Sequence, residues 1–345
     1  MFNLKGSITA LVTPMDSDGE IHWQGLKDLI EWHISSNTSG LVIVGTTGES
    51  ATLDVSEHVQ LIERSVDISQ DRVKIIAGTG ANSTKEAIYL TNSAKSAGAD
   101  AALLVTPYYN KPTQEGLYEH FKLVADEVDL PQILYNVPSR TGCDLLNSTV
   151  LRLVDHSNIV GLKDATGDID RLKDIISNLS LVQKENFLLY SGDDPTSTEF
   201  ILNGGAGTIS VTANIVPRII SDICTHALDG NVESATELDN KLNSLNEILF
   251  IESNPIPVKW MLNRVGRIAD GIRLPLTHLN TQYHEEAERI LKELQLANVN
   301  PNPYAYAIDV TGESTADLIG KKVINNHRQV LSKNDWLSLQ SICGG

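Results

Sequence analysis

The chain has 345 residues, of which 41% are hydrophobic, and a formal net charge of −17. The apolar content excludes a disordered chain and suffices for a large core. The acidity excludes nucleic acid, which needs a basic footprint, and anionic membrane surfaces. A small anionic substrate stays compatible, because one pocket can be positive on an acidic protein.

Length alone suggests roughly two domains, although α/β barrels often use such a length as one. The three cysteines, Cys143, Cys224 and Cys343, show no CxxC or zinc spacing. That pattern disfavours a disulfide framework or a metal site and fits a reducing, cytoplasmic setting. Met1 to Met15 is broken by Lys5, Gly6 and Pro14, so no signal peptide is expected. No apolar run reaches ~18 residues, so no membrane span is expected either.

In chain order, strand-like and helix-like segments alternate. Ser7–Val12 reads as a strand. His22–Ser36 reads as a helix, with Leu26, Leu29, Ile30 and Ile34 on one face. Gly40–Val44 is apolar and ends in Gly45-Thr46-Thr47-Gly48-Glu49; Ser56–Ile68 follows as a helix with Ser56 as its expected N-cap. Val73–Ala77 and Ala101–Val105 are strands, each followed by a helix, Ser83–Ser96 and Thr113–Val128. Gln132–Tyr135 is the fifth strand and Asn147–His156 its helix. Ile159–Lys163 is the sixth, followed by a helix over Ile169–Leu179. Phe187–Ser191 and Thr208–Val211 complete the strands, with helices at Pro195–Leu202 and Val216–Leu228.

Eight such units joined by short Gly- and Pro-marked loops predict an α/β fold with a parallel sheet, and eight is the number that closes a (β/α)8 TIM barrel. An open doubly wound sheet is the runner-up, but its phosphate fingerprint is weak. Gly78-Thr79-Gly80-Ala81-Asn82-Ser83 has Ser where GxGxxG needs Gly. Past Gly230 the alternation stops. Val232–Ile251, Val258–Val265 and Tyr283–Leu296 read as helices, a C-terminal helical appendage. Asn298-Val299-Asn300-Pro301-Asn302-Pro303 looks like a boundary. The expected division is a barrel over 1–230, a helical region over 231–298 and a tail over 299–345.

The chemistry centres on Ile159-Val160-Gly161-Leu162-Lys163-Asp164, an apolar strand with one amine at its end. A charged lysine is costly in a dry strand, and only the free amine attacks a carbonyl. Taken alone, the stretch also suits a lysine whose tip snorkels to water. In a barrel, however, chemistry gathers at the C-terminal strand ends. There stand Thr46 and Thr47, Tyr109, Tyr135 with Arg140 beyond it, Lys163, Gly192, and Gly207 and Ser210 beside Ile209. Alternation places Ile159, Gly161 and Lys163 on one face of strand six, and Ile133 and Tyr135 on one face of strand five. If both faces point inward, a phenol and an amine meet at the mouth. An imine-forming amine needs a proton carrier, backbone N–H groups at glycines can approach a carboxylate, and an Arg offers a fork for a second one. The set suits a Schiff-base enzyme acting on oxo acids.

These residues fall in the motifs GTTGES (Gly45–Ser50), TPYYNKP (Thr106–Pro112), YNVPSRTG (Tyr135–Gly142), GLKDATG (Gly161–Gly167), SGDD (Ser191–Asp194) and NPIPVKW (Asn254–Trp260). Together, and in this order, they resemble the dihydrodipicolinate synthase family over about Gly6 to Leu296. The resemblance implies that Lys163 forms an imine with pyruvate and that Tyr135 is the proton donor and acceptor. It implies a relay through Thr46 to Tyr109, the latter supplied by a neighbouring subunit. Thr47 and the backbone near Ile209 would hold the pyruvate carboxylate, beside Gly192. Arg140 would stand where L-aspartate 4-semialdehyde binds.

The resemblance further implies a step toward diaminopimelate and lysine, a homotetramer built from tight dimers, and no metal or organic cofactor. Ser50, Ala51, His58, Asn82, Glu86 and Tyr108 match the site where lysine inhibits some members; Val55 departs from members with His there. Asn82 and Glu86 also suit a plain helix start with a solvated acid. Two other readings remain at this point: a related pyruvate-dependent aldolase or lyase acting on a sugar acid, and a non-catalytic sensor of lysine or an oxo acid on the same barrel.

Overall fold

The structure, a computed structural model, describes residues 2–296. The expected tail at 299–345 and the boundary at 298–303 lie outside these residues. Eight strands form one closed barrel in chain order: β1 Gly6–Ala10, β2 Gly40–Ile43, β3 Lys74–Gly78, β4 Ala101–Val105, β5 Gln132–Asn136, β6 Ile159–Asp164, β7 Leu188–Ser191 and β8 Gly207–Ser210. Every neighbouring pair is parallel, and β8 closes on β1 with Ile8 opposite Ile209. Both strand faces are covered, which is why the strands read as apolar runs. Ile8, Val42, Ile76, Leu103, Ile133 and Tyr190 fill the interior. Their alternates Leu41, Ile43, Ile75, Leu104, Leu134 and Leu189 face the helical layer.

The helices between strands fall where their periodicity predicts, with bounds that differ by a few residues. One cap is different. The second helix is Val55–Ser69, and Asp54, not Ser56, is its N-cap. Asp54 and Glu57 form a reciprocal capping box that satisfies two orphan N–H groups at once, which a serine two residues further on, already inside the first turn, cannot do. The segment expected as one helix over Val232–Ile251 is two, Val232–Asn240 and Asn243–Ile248, interrupted between two asparagines that favour turns. Short helices at Pro138–Thr141 and Leu181–Asn186 had no periodic signal.

Strand β6 also departs from simple alternation. Gln132 pairs with Ile159 and Ile133 with Gly161, so Val160 is an extra residue on β6. The bulge resets the side-chain period. Ile159 packs with Leu162 in the outer layer and Val160 faces the interior. Ile159 therefore does not share a face with Lys163, as strict alternation would have it.

The appended helices Ile256–Arg264 and His284–Glu293 share one continuous apolar cluster with the barrel's outer layer: Val258, Met261, Leu262, Ile290 and Leu291 belong with Leu41 and Ile75. Among the described residues no helix is long and apolar enough to cross a membrane.

Candidate active site

Register brings the amine and the phenol together. Tyr135 lies opposite Lys163 across the β5–β6 ladder. The Lys163 Nζ stands 4.2 Å from the centre of the Tyr135 ring, and the two residues are only 5% and 7% exposed. On the other side Lys163 neighbours Tyr190, whose hydroxyl donates to the Leu4 carbonyl at 2.7 Å. Burial pushes that phenol far above the usual tyrosine range. Of the two phenols flanking Lys163, Tyr190 is thus committed to structure.

Gly192, just past β7, explains the room for the lysine. A Cβ there would lie 2.7 Å from Lys163 Cε and 2.8 Å from Ala165 Cβ, closer than carbon atoms approach. Any larger residue would displace the amine.

A polar network fixes the ends of β5 and β6. Asp164 accepts from the Thr166 N–H at 2.8 Å and hydroxyl at 2.5 Å, and from Arg171 Nε at 3.2 Å. Arg171 also binds Asp144 at 3.1 Å and the Leu145 carbonyl at 2.8 Å. Asn136 donates to Asp144 at 2.8 Å and accepts from Leu145 N–H at 2.9 Å. Arg171 and Asp144 carried no sequence signal, because their partners come from separate segments.

The loop after β2 is held by the appended helices. Thr47 is buried, and its hydroxyl accepts from Asn254 Nδ2 at 3.0 Å. The Asn254 carbonyl accepts from Arg140 Nη2 at 3.2 Å, so one residue touches both expected substrate contacts. Glu49, in the left-handed region at φ +60°, forms a buried ion pair with Lys259 and accepts the Arg273 N–H at 3.1 Å. Burial pushes the Lys259 amine down, and the neighbouring Glu49 opposes that shift. Arg273 also grips Glu57 through two bonds of 2.7 and 2.5 Å, which hold that carboxyl below its ordinary range. These ties were missed; only the presence of NPIPVKW hinted that Asn254 and Lys259 matter.

A cavity of about 360 Å³ opens beside this loop. Its walls include Thr46 and Arg140 together with Ser50, Ala51, His58, Glu86 and Tyr108, so residues expected at two sites line one space. Lys163, Tyr135, Thr47, Ile209 and Asn82 are not among its walls. Ile209 sits in the barrel interior, and the Asn82 carbonyl accepts from Asn110 at 2.9 Å. His58 is buried with Nε2 2.7 Å from the Gly78 carbonyl, and burial keeps its ring from protonating at the usual pH. Burial, then the Glu86 carboxylate, raises the Tyr108 phenol.

Tyr109 lies apart. It is 90% exposed, with φ +74°, a conformation rare for an aromatic residue. No hydrogen bond among the described residues joins Thr46 to Tyr135 or Tyr109. Nor does any group of three or more His, Cys, Asp or Glu among them stand arranged to hold a metal ion.

Comparison with known proteins identifies the family. The model of the dihydrodipicolinate synthetase family matches residues 3–294. The 4-hydroxy-tetrahydrodipicolinate synthase of Pseudomonas savastanoi pv. phaseolicola is 56% identical over 290 residues, 84% of this chain and 98% of that protein. The crystal structure of the chloride-inhibited dihydrodipicolinate synthase of Acinetobacter baumannii, complexed with pyruvate, superposes with a TM-score of 0.83 at 54% identity, over 85% of this chain and all of that one. The Cyanidioschyzon merolae enzyme, solved with lysine bound, matches at a TM-score of 0.82 and 35% identity, over 86% of this chain and 100% of that one. With this likeness spanning its barrel and appended helices, the chain belongs to the dihydrodipicolinate synthetase family and is a class I aldolase-type lyase with 4-hydroxy-tetrahydrodipicolinate synthase activity.

Proposed function

We propose that Lys163 condenses with the ketone of pyruvate, forming a C=N bond and releasing water. Loss of a methyl proton gives the enamine, whose terminal carbon adds to the aldehyde of L-aspartate 4-semialdehyde. The substrate's own amino group then attacks the imine carbon, closes the ring and expels Lys163 as the free amine. Tyr135 carries the protons. Thr47 and the backbone near Ile209 hold the pyruvate carboxylate; Arg140 takes the carboxylate of the semialdehyde by its guanidinium fork. Gly192 keeps the space in which the Lys163 chain lies.

Thr46 passes protons between Tyr135 and a Tyr109 supplied by a second copy of the chain. The outward, left-handed placement of Tyr109 supports that part of the reading, in a homotetramer built from tight dimers. Lysine, which the Cyanidioschyzon merolae relative binds, would enter the cavity on the side of Ser50, Ala51, His58, Glu86 and Tyr108, with Asn82 nearby. Glu86 offers a carboxylate to its ammonium. Cytoplasmic lysine biosynthesis is the setting this reading gives the enzyme.

The observation that carries the proposal is a buried amine packed on a phenol inside the barrel, with a glycine clearing its path. Borohydride reduction in the presence of pyruvate, followed by peptide mass mapping, tests it. The expected result is a single adduct on the peptide holding Lys163. Turnover with no adduct there would overturn it.

A further inference from the structure

Resting on the reading that Thr47 binds the pyruvate carboxylate, we infer that Asn254 is a positioning residue that sets the polarity of the Thr47 hydroxyl. A threonine hydroxyl has one proton to give and two lone pairs to receive with. The Asn254 amide donates into that oxygen at 3.0 Å, which occupies an acceptor site. Among the described residues the Thr47 proton is given no acceptor, so the hydroxyl is left as a donor. A donor is what an anionic carboxylate requires, and a hydrogen bond to a charged group is worth more than one between neutral groups.

Two features argue that Asn254 is more than packing. It is nine-tenths buried, yet its side-chain oxygen has no partner among the described residues. A dry, half-satisfied amide costs stability, and an apolar residue of similar shape would avoid that cost. The same residue receives Arg140 on its main-chain carbonyl, which no side-chain substitution removes. Asn254 therefore serves the two substrates through different atoms. Its amide acts on the pyruvate side through Thr47, and its backbone on the semialdehyde side through Arg140. The helical appendage thereby becomes part of the carboxylate site, although it contributes no group to the reacting atoms.

The test compares Thr47→Val, Asn254→Asp, Asn254→Ala and the double variant Thr47→Val/Asn254→Asp. Aspartate is nearly isosteric but only accepts, so it takes up the Thr47 proton and reverses the polarity. Asn254→Asp is expected to raise KM for pyruvate by about tenfold or more, the scale of one charge-assisted hydrogen bond. The change in kcat should be smaller, and KM for the semialdehyde should stay within about twofold of wild type. Asn254→Ala, which frees the hydroxyl without capturing it, should fall between wild type and Asn254→Asp, and it carries the test if the aspartate variant does not fold. The double variant should be no worse than Thr47→Val alone.

If Thr47→Val raises KM for pyruvate while both Asn254 variants leave it unchanged, the inference is overturned and the carboxylate reading stands. Multiplicative effects in the double variant overturn it as well, since Asn254 would then act without Thr47. If Thr47→Val itself changes nothing, the carboxylate reading fails and the inference falls with it.

Discussion

The inside of the barrel and its rim are held together by different means. Inside, register alone brings Lys163 beside Tyr135, and a neighbouring glycine leaves the space. At the rim, Thr46 and Thr47 sit on a loop and Arg140 on a short helix, both tied to residues far along the chain. Asn254 is 207 positions from Thr47, Lys259 is 210 from Glu49 and Arg273 is 224 from Glu49. The Lys163–Tyr135 pair thus needs only the sheet, whereas the rim around Thr47 and Glu49 needs the appended C-terminal region. Strand pairing tolerates change in distant segments; a loop clamped by three of them does not.

The largest effect should come from the interior. Lys163→Ala is expected to lower turnover by about 10³-fold or more, the scale on which removal of a covalent nucleophile acts. It should leave thermal unfolding no worse than wild type, because it removes a polar group from an apolar strand. Steady-state kinetics and a melting curve check both halves. A variant that melts early would show that Lys163 holds the barrel, and the contrast between interior and rim would collapse.

The rim should fail through stability instead. Lys259→Met leaves Glu49 buried without its partner, which costs about 3–5 kcal/mol when a buried pair is broken. Denaturant unfolding should show that loss, and Glu49→Gln added to Lys259→Met should recover part of it. Were the single variant as stable as wild type, the clamp would not hold the loop.

What the chain discloses in advance follows the same division. The eight strands were legible as short apolar runs between Gly- and Pro-marked loops, and the Tyr135–Lys163 pairing because it joins the ends of two strands consecutive in the chain. Ile159 was misplaced, since a bulge is one extra residue that no alternation rule announces. The Asp54 box was readable as Asp-x-x-Glu and was overlooked for a serine two residues on. Asn254 to Thr47 and Lys259 to Glu49 were not legible at all. Pairings across about 200 residues leave no periodic trace, and only the fold decides which of many polar groups meet. The shared cavity is the same case: Thr46 and Glu86 were assigned to separate sites, and only closure of the barrel places both on one wall.

Tyr109 tests the rim from outside. Tyr109→Phe should lower kcat by about 10²-fold if its hydroxyl relays protons, the lower range for general acid–base groups. Tyr109→Phe and Lys163→Ala subunits, dissociated together and reassembled, should recover activity above either parent, because mixed dimers place an intact Tyr109 against an intact Lys163. A mixture no more active than its parents would mean that each barrel works alone, and the rim would then be as self-contained as the interior.

Acid offers the smallest probe, and two buried histidines outside both regions contribute to it, beside His58 at the cavity wall. His33 is fully buried, and desolvation lowers it from 6.5 to about 3; His120 is lowered to about 4 for the same reason. Both have lower affinity for protons in the folded chain than in the unfolded one. Above about 6.5 neither state binds them and they contribute no pH dependence. As pH falls below 6.5 the unfolded chain takes up protons that the folded chain refuses, and stability drops until the folded values are reached. At pH 5 this amounts to on the order of 2 kcal/mol for each histidine. His33→Asn should remove one proton's share of the slope between about pH 6 and 5, roughly 1.4 kcal/mol per pH unit, in urea unfolding followed at several pH values. If activity at pH 5 recovers along with stability in that variant, the acid loss belongs to the fold. If stability recovers and activity does not, the loss arises at the site itself, and the kinetics at that pH then report on the groups around Lys163 and Arg140 rather than on the frame that holds them.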